Sequence, residues 1–449
     1  MLIRFISLLF LITIFNVNAF TQTNEDRIKS LEEKLKQIET ELKLVKTESE
    51  ASKYLKQELE LLKDEIRRLK LEIAMPEIEM KSHYGLGPAA SKIYYTPRGL
   101  SIAGYGELTY ENYLSDTKVD FGDVLRFVPY IGYKFSDQLL VNSELEIEHA
   151  GIGNVGKRVP EVYVEFLYID FLLNPSFNIK SGLFLLPISK MNELHEPPVY
   201  FGTLRPDVER FIIPTVWREM GIMFYGDIIN NLSYKFGIVN GLRTDLISDW
   251  IPAGRQRGAK INFDNFAGIL RLDHHINNLS YGFTYYRGRG SDKAGADIKG
   301  NELATFNLMV IEAQYQSSEF YVKGLYSLGN ANGNEFYTSK NRSKSVYGYY
   351  LETSYNLINL YLQNWHISIT PFLRFERYNL NEKVFKNDPD PQKDRSVLTI
   401  GLDFKPHPLV VIKTDYQIRN TKSTKPAGKG NDFDEWKINQ FNVGLGFIF

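Results

Sequence analysis

The sequence predicts an all-β transmembrane barrel of about 16 antiparallel strands, preceded by an α-helical coiled coil. Three observations carry this: alternating apolar strands from residue 99 onward, connections that alternate short and long, and a Gly- and Pro-free stretch rich in Glu, Lys and Leu at 24–74. The terminal stretch FNVGLGFIF shows the alternation. Phe441, Val443, Leu445, Phe447 and Phe449 share one strand face, and Asn442, Gly444, Gly446 and Ile448 share the other. The first face suits lipid.

Composition sets limits before any motif is read. The 449 residues include no cysteine, which excludes disulfides, thiolate metal sites and cysteine nucleophiles. A formal net charge of −1 gives no general attraction to nucleic acid. Aromatics reach 14%, with 29 Phe, 28 Tyr and 4 Trp, a surplus that needs a cause.

The elements follow in chain order. Arg4, the apolar run FISLLFLITIF and Val17-Asn18-Ala19 read as a signal peptide over 1–19. Residues 20–75 are expected to form a periplasmic coiled coil. Ile28, Leu31, Leu35, Ile38, Leu42 and Val45 make one heptad seam, and Leu55, Leu59, Leu62, Ile66, Leu69 and Ile73 a second. The seams are out of phase, consistent with a three-residue stammer near Glu48, Ser49 and Ser52. Unbroken, the rod would be about 75 Å long. Residues 76–98 read as a linker.

The barrel is expected over 99–449. In LVNSELEIEHA, Glu144, Glu146 and Glu148 share a face opposite Val141, Leu145 and Ile147. Three carboxylates in a row are costly in a dry core, so this face is expected to meet water. Lys413, Asp415 and Arg419 stand on such a face in a later strand. Sixteen runs are predicted: near 100–113, 124–135, 139–149, 161–173, 177–187, 217–226, 232–241, 263–274, 279–288, 303–316, 319–328, 345–356, 365–378, 395–405, 409–420 and 436–449. Tight links such as SDQ, NPS and NN alternate with long polar loops such as NLNEKVFKNDPDPQKD. Short periplasmic turns and long external loops produce this alternation, and an even strand count puts the coiled coil in the periplasm. Aromatic girdles at the two lipid–water boundaries account for the Tyr and Phe surplus.

One segment breaks the rhythm. Residues 188–221 carry Pro197, Pro198, Pro206 and Pro214 among charged and apolar groups, and 188–216 is expected to fold into the lumen. The series NELHEPP…RPDVER…IIPTVWREMG resembles the loop of the phosphate-selective porin O and P family, over residues 80–449. That resemblance implies an outer-membrane trimer of sixteen-stranded barrels and raises inorganic anions as solutes. Phe449 resembles the recognition signal of the outer-membrane assembly machinery. The N-terminal rod is similar to the coiled-coil extensions of some outer-membrane porins, which makes peptidoglycan a candidate partner.

Lys190, Arg205, Arg210 and Arg218 are the candidate basic constriction, with Glu193, Glu196, Asp207 and Glu209 as counter-charges. Glu144, Glu146, Glu148, Lys413, Asp415 and Arg419 are the candidate lumen wall. The acidic wall argues against strong anion selectivity, which favours a general pore for small hydrophilic solutes. Two other readings compete with it: a structural anchor whose rod ties the membrane to the cell wall, and a trimeric adhesin-type exporter. The exporter class carries few strands per subunit, unlike this chain. No enzyme activity, metal or cofactor is expected. His274 and His275 are adjacent in a strand and point to opposite faces, and no G-x-S-x-G or phosphate-binding Gly-rich loop occurs.

Overall fold

The computed structural model describes residues 24–44, 56–67, 80–150, 161–291, 304–333, 341–362 and 365–449. The signal peptide expected at 1–19, the stammer and parts of several long loops lie outside the described residues. The chain divides into two compact units, Met1–Glu77 and Ile78–Phe449.

In the first unit, helix α1 (Asn24–Leu44) and a helical segment at 56–67 carry the two apolar seams. Ile28 and Leu31 bury against Ile66, with Leu35 and Leu62 packed beside them. Arg27 donates to Glu65 at 2.9 Å. Along one straight helix those residues would stand about 57 Å apart. These contacts therefore describe two helices side by side, not one unbroken rod, because each seam finds its apolar partner within the same chain.

The second unit is a closed antiparallel barrel of sixteen strands. They are β1 (Gly99–Tyr113), β2 (Phe121–Ser136), β3 (Leu139–Glu148), β4 (Val162–Asn174), β5 (Phe177–Leu185), β6 (Arg218–Ile229), β7 (Leu232–Asn240) and β8 (Phe266–Ile276). The second half runs β9 (Leu279–Ser291), β10 (Ala304–Gln316), β11 (Phe320–Asn332), β12, β13 (Trp365–Val384), β14 (Asp394–His407), β15 (Val410–Thr421) and β16 (Gln440–Ile448). Strand β12 is Ser343–Tyr355 continued by Ile358–Leu362. Both parts pair with β13, through Ser354↔Phe372 and Ile358↔Ile369. Among the described residues, no helix is long and apolar enough to cross a membrane.

Closure runs through β1 and β16, from Tyr105↔Ile448 to Tyr113↔Gln440. Phe449 completes the seam: its N–H donates to the Gly104 carbonyl at 2.9 Å, and Gly104 N–H donates back at 2.8 Å. Its ring stacks on Phe127 at 5.6 Å between centroids. Along β16 the outward Phe441 and Leu445 are exposed, whereas the inward Asn442, Gly444 and Ile448 are buried. The predicted alternation thus separates an apolar exterior from an interior.

Two segments enter that interior. One is the loop 186–217 after β5, here L3. The other is 80–98, expected as a linker but folded as an insert around helix α2 (Pro88–Tyr95), in which all but Tyr95 are buried. Proline at the first turn suits a helix start, and Glu196 of L3 accepts from the free N–H groups of Ala89 and Ala90 at 3.0 Å each. The wall holds the helix as well. Tyr94 donates to Asp170 of β4 at 2.6 Å, and Asn142 of β3 donates to the Ala90 carbonyl at 2.9 Å.

Candidate functional site: the lumen and its loop

L3 begins with a short helix, α3 (Lys190–Glu193), whose N-cap Ser189 accepts from Asn192 N–H. From there it crosses to the far wall and is gripped by side chains of the strands. Lys413 of β15 donates to the carbonyls of Tyr200 and Gly202 at 2.7 and 3.0 Å. Arg374 of β13 donates to those of Phe201 and Leu204 at 3.2 and 3.1 Å. Thr203 N–H donates to Asp415 at 2.7 Å, Val208 N–H to Glu376 at 3.1 Å, and Arg419 pairs with Asp207 at 2.5 Å. These charge-assisted bonds to loop backbone are the stronger class of hydrogen bond. The glycine face of β16 leaves room for the crossing: a Cβ on Gly446 would lie 2.2 Å from Pro197 Cβ.

The rest of L3 packs into an apolar interior. Val208, Ile212, Ile213 and Trp217 join Phe306, Leu308 and Val310 of β10, Leu325 of β11 and Val346 of β12 in one buried cluster. The loop 241–265 covers it with Trp250, whose Nε1–H donates to the Ile212 carbonyl at 3.1 Å. The β10 sequence is consistent with this: Phe306, Leu308 and Val310 face inward and Met309 and Ile311 outward, so both faces are apolar, as in a strand with apolar surroundings on both sides.

Most of the charged groups on this lumen wall are consequently buried, and several are paired. Arg126 binds Glu107 at 2.8 Å, which also accepts from Tyr200 at 2.6 Å. Arg271 binds Asp273 and Glu312 at 2.6 Å each. Arg374 binds Glu352 at 3.0 Å and Glu376 at 3.1 Å. These pairs were missed in the sequence, although RLDH and LRFER carry the same alternating signal as the Glu144 strand.

The sequence-predicted residues are not brought together as one ring. Lys190 donates through its backbone to Glu312 at 2.8 Å and through Nζ to Ser280 at 2.5 Å. Glu193 pairs with Lys235 at 2.5 Å, and Glu209 accepts from Ser189 and Tyr350 at 2.6 and 3.0 Å. Arg218 pairs with Glu165 at 3.1 Å, and half-exposed Arg210 lies 3.4 Å from Asp207. Arg205 is partly buried near His195 and Tyr200. Glu144, Glu146 and Glu148 do point inward, but the expectation that all three meet water is corrected. Glu144 and Glu146 are buried and Glu148 is half-buried, because L3 lies against their strand. Lys413, Asp415 and Arg419 likewise grip L3 rather than line open water.

Open space lies beside the short-turn rim. One cavity of about 570 Å³ is lined by His83, Glu193, Lys235, Arg271 and Asp273 among others. Another of about 310 Å³ is lined by Lys190, Lys323, Lys405, Glu352 and Asp403 among others. His83 belongs to the insert. Its ring stacks on Tyr94 at 3.6 Å, near Tyr84 and with Tyr225 Oη 3.5 Å away. Burial, reinforced by Lys180, Lys235 and Lys134, holds it well below the usual imidazole range. A base depressed in the docked form takes up its proton on undocking, so docking weakens as pH falls below about 6.5. A cysteine placed at buried Ala89 should accordingly react faster at pH 5 than at pH 7 with a dithiodipyridine, a reagent that stays reactive toward thiols in acid. In a His83→Gln background that difference should vanish; if it persists, His83 does not govern docking.

The lineage follows from comparison with known proteins. An uncharacterized protein of Aquifex aeolicus (strain VF5) is 34% identical over 368 residues, covering 78% of this chain and 82% of its own. This chain belongs to the same family. No protein-family profile matches it. Among solved structures, Salmonella typhi OmpF in complex with daunomycin superposes with a TM-score of 0.52 at 10% identity, over 78% of this chain and 97% of that one. An anion-selective porin from Comamonas acidovorans gives 0.50 at 11%, over 78% and 99%. The trimer form of Vibrio cholerae OmpT gives 0.50 at 10%, over 79% and 100%. Identities this low speak to fold alone. The family member described here shares the barrel fold of these proteins.

Proposed function

We propose that the protein is a narrow outer-membrane porin, giving passive passage to small hydrophilic solutes and ions. The observation that carries this reading is L3, held across the lumen of a sixteen-stranded barrel by side chains of β13 and β15. Lys190, Glu193, Arg205, Glu209, Arg210 and Arg218 contribute to its constriction. Both cavities carry mixed charge, Lys190, Lys323 and Lys405 against Glu352 and Asp403 in one of them. Mixed linings discriminate weakly between ions, which fits a general pore better than the phosphate selectivity of the resembled family. A homotrimer, a periplasmic coiled coil able to reach peptidoglycan, and recognition of Phe449 by the assembly machinery complete the reading.

The test is single-channel recording in a planar bilayer under a tenfold KCl gradient. Small conductance steps in groups of three with a reversal potential near zero are the expected result. A strongly chloride-directed potential would favour the phosphate-selective family instead. Deleting residues 80–97, which removes α2 from the lumen, should raise the conductance severalfold; an unchanged conductance would place the limiting barrier at L3 alone.

A second reading has one observation in its favour. Glu144, Asp170 and Arg374 are almost wholly inaccessible, as in a barrel filled to serve as an anchor. A folded barrel without conductance steps would support that reading, with the N-terminal helices tethering the membrane to the cell wall.

A further inference from the structure

L3 delivers one side chain, His195, to a buried pair of carboxyl groups on the barrel wall. His195 Nδ1–H donates to the Asn192 carbonyl at 3.1 Å, because a carbonyl can only accept. The lone pair is therefore on Nε2, which lies 3.6 Å from Glu144 Oε1 and 3.9 Å from Glu165 Oε2. His195 Nε2 and carboxyl oxygens of Glu144 and Glu165 thus converge. Among the described residues, both Glu144 oxygens, Glu165 Oε2 and His195 Nε2 have no hydrogen-bond partner, although the three residues are only 0%, 1% and 1% exposed. Unsatisfied groups at such depth are costly.

Two neighbouring arginines are committed elsewhere, whereas Arg205, also near His195, has a buried Nη1 without a partner among the described residues. Arg126 serves Glu107 at 2.8 Å and stands 3.9 Å from Glu146, while Arg218 binds the other oxygen of Glu165 at 3.1 Å. The backbone also departs from regularity here. Between β3 and β4 the register slips at Glu144/Leu145, where Phe166 and Val164 are the partners and Glu165 is the extra residue. Glu165 and Phe166 are consequently both buried on the inner side, the re-aiming of a side chain that a β-bulge produces.

We propose that Glu144, Glu165 and His195 bind a divalent transition-metal cation of the zinc type. The donor atoms lie within 4.8 Å of one another, a little wider than the ~3.4 Å separation around a tetrahedral zinc ion, so binding draws them together. Two carboxylates neutralise the ion's charge. An imidazole among the donors favours zinc over calcium or magnesium, which prefer oxygen ligands. The Asn192 carbonyl is the outer partner that fixes the ring, as is usual for a ligating histidine. The ion ties L3 to β3 and β4 and thereby sets the loop's position.

The test uses the full-length folded protein in detergent, stripped with a chelator and titrated with zinc against a chromogenic competitor. One zinc per chain is expected. His195→Gln and Glu165→Gln should each weaken binding tenfold or more, while a His274→Gln/His275→Gln double variant should bind as the parent does. Heat-modifiable migration in electrophoresis reports that each variant is folded. Absence of zinc uptake by the folded parent would overturn the proposal and leave a proton shared by the two carboxyl groups. Uptake that His195→Gln leaves intact in a folded barrel would overturn it equally.

Discussion

Arg374→Met is expected to free L3 from the far wall. The guanidinium is 1% exposed, binds Glu352 and Glu376, and donates to the carbonyls of Phe201 and Leu204. Methionine replaces most of the stem but none of the five donors. Glu352 and two loop carbonyls lose the Arg374 donor in a buried setting, while Glu376 keeps the Val208 N–H. Breaking a buried ion pair by removing one member costs about 3–5 kcal/mol. L3 is the element able to move in response, since the strand carboxylates are fixed in the sheet. The expected results are a larger, noisier single-channel conductance and a lower temperature for conversion to the unfolded electrophoretic form. Unaltered conductance together with unaltered conversion would show that the other L3 anchors, Lys413 and Asp415 first among them, hold the loop without Arg374.

Trp217→Ala is expected to have the other large effect, on stability rather than on the path. Trp217 is 0% exposed, lies 4.7 Å from the Tyr286 ring and donates from Nε1 to Glu219 at 3.1 Å. Truncating a core aromatic costs about 3–5 kcal/mol through lost transfer energy and the cavity left behind. Here it also removes one of the donors that compensates a buried carboxylate. A fall in the heat-conversion midpoint with β-structure retained at low temperature is the expected outcome. The result separates two pictures of the interior. A water-filled lumen would tolerate the substitution almost without loss, whereas a packed core would not.

Much of the barrel was legible because lipid on one side imposes a period of two on every strand. FNVGLGFIF, LVNSELEIEHA and LVVIKTDYQIRN each show it, and the sixteen predicted runs correspond in order to β1–β16. Boundaries were less legible. β13 extends to Val384, six residues past the expected end, because β12 and β14 continue to pair with it. The rod was misjudged in a different way. Heptad spacing identifies an apolar seam but not whose seam it meets, and Ile66 of the same chain meets Ile28 and Leu31.

The candidate site was half legible. Proline content and position after the fifth strand marked L3 as a loop that enters the lumen, and its charged residues were named. Their partners were not, since Lys235 for Glu193, Lys323 and Tyr350 for Glu209 and Glu165 for Arg218 all come from distant strands. The Glu144 face shows the limit most clearly. Alternation puts its carboxylates on one face, and it does not say whether water or L3 meets them there.

By itself, then, the sequence determined which residues face lipid and which face inward, because each strand's pleat carries that information in consecutive positions. Only the tertiary structure decided what the inward residues meet. His195, Arg374 and Glu196 are each satisfied, or left unsatisfied, by atoms that come close only when L3 and the α2 insert are folded into the closed barrel. No local period encodes a contact made across a lumen.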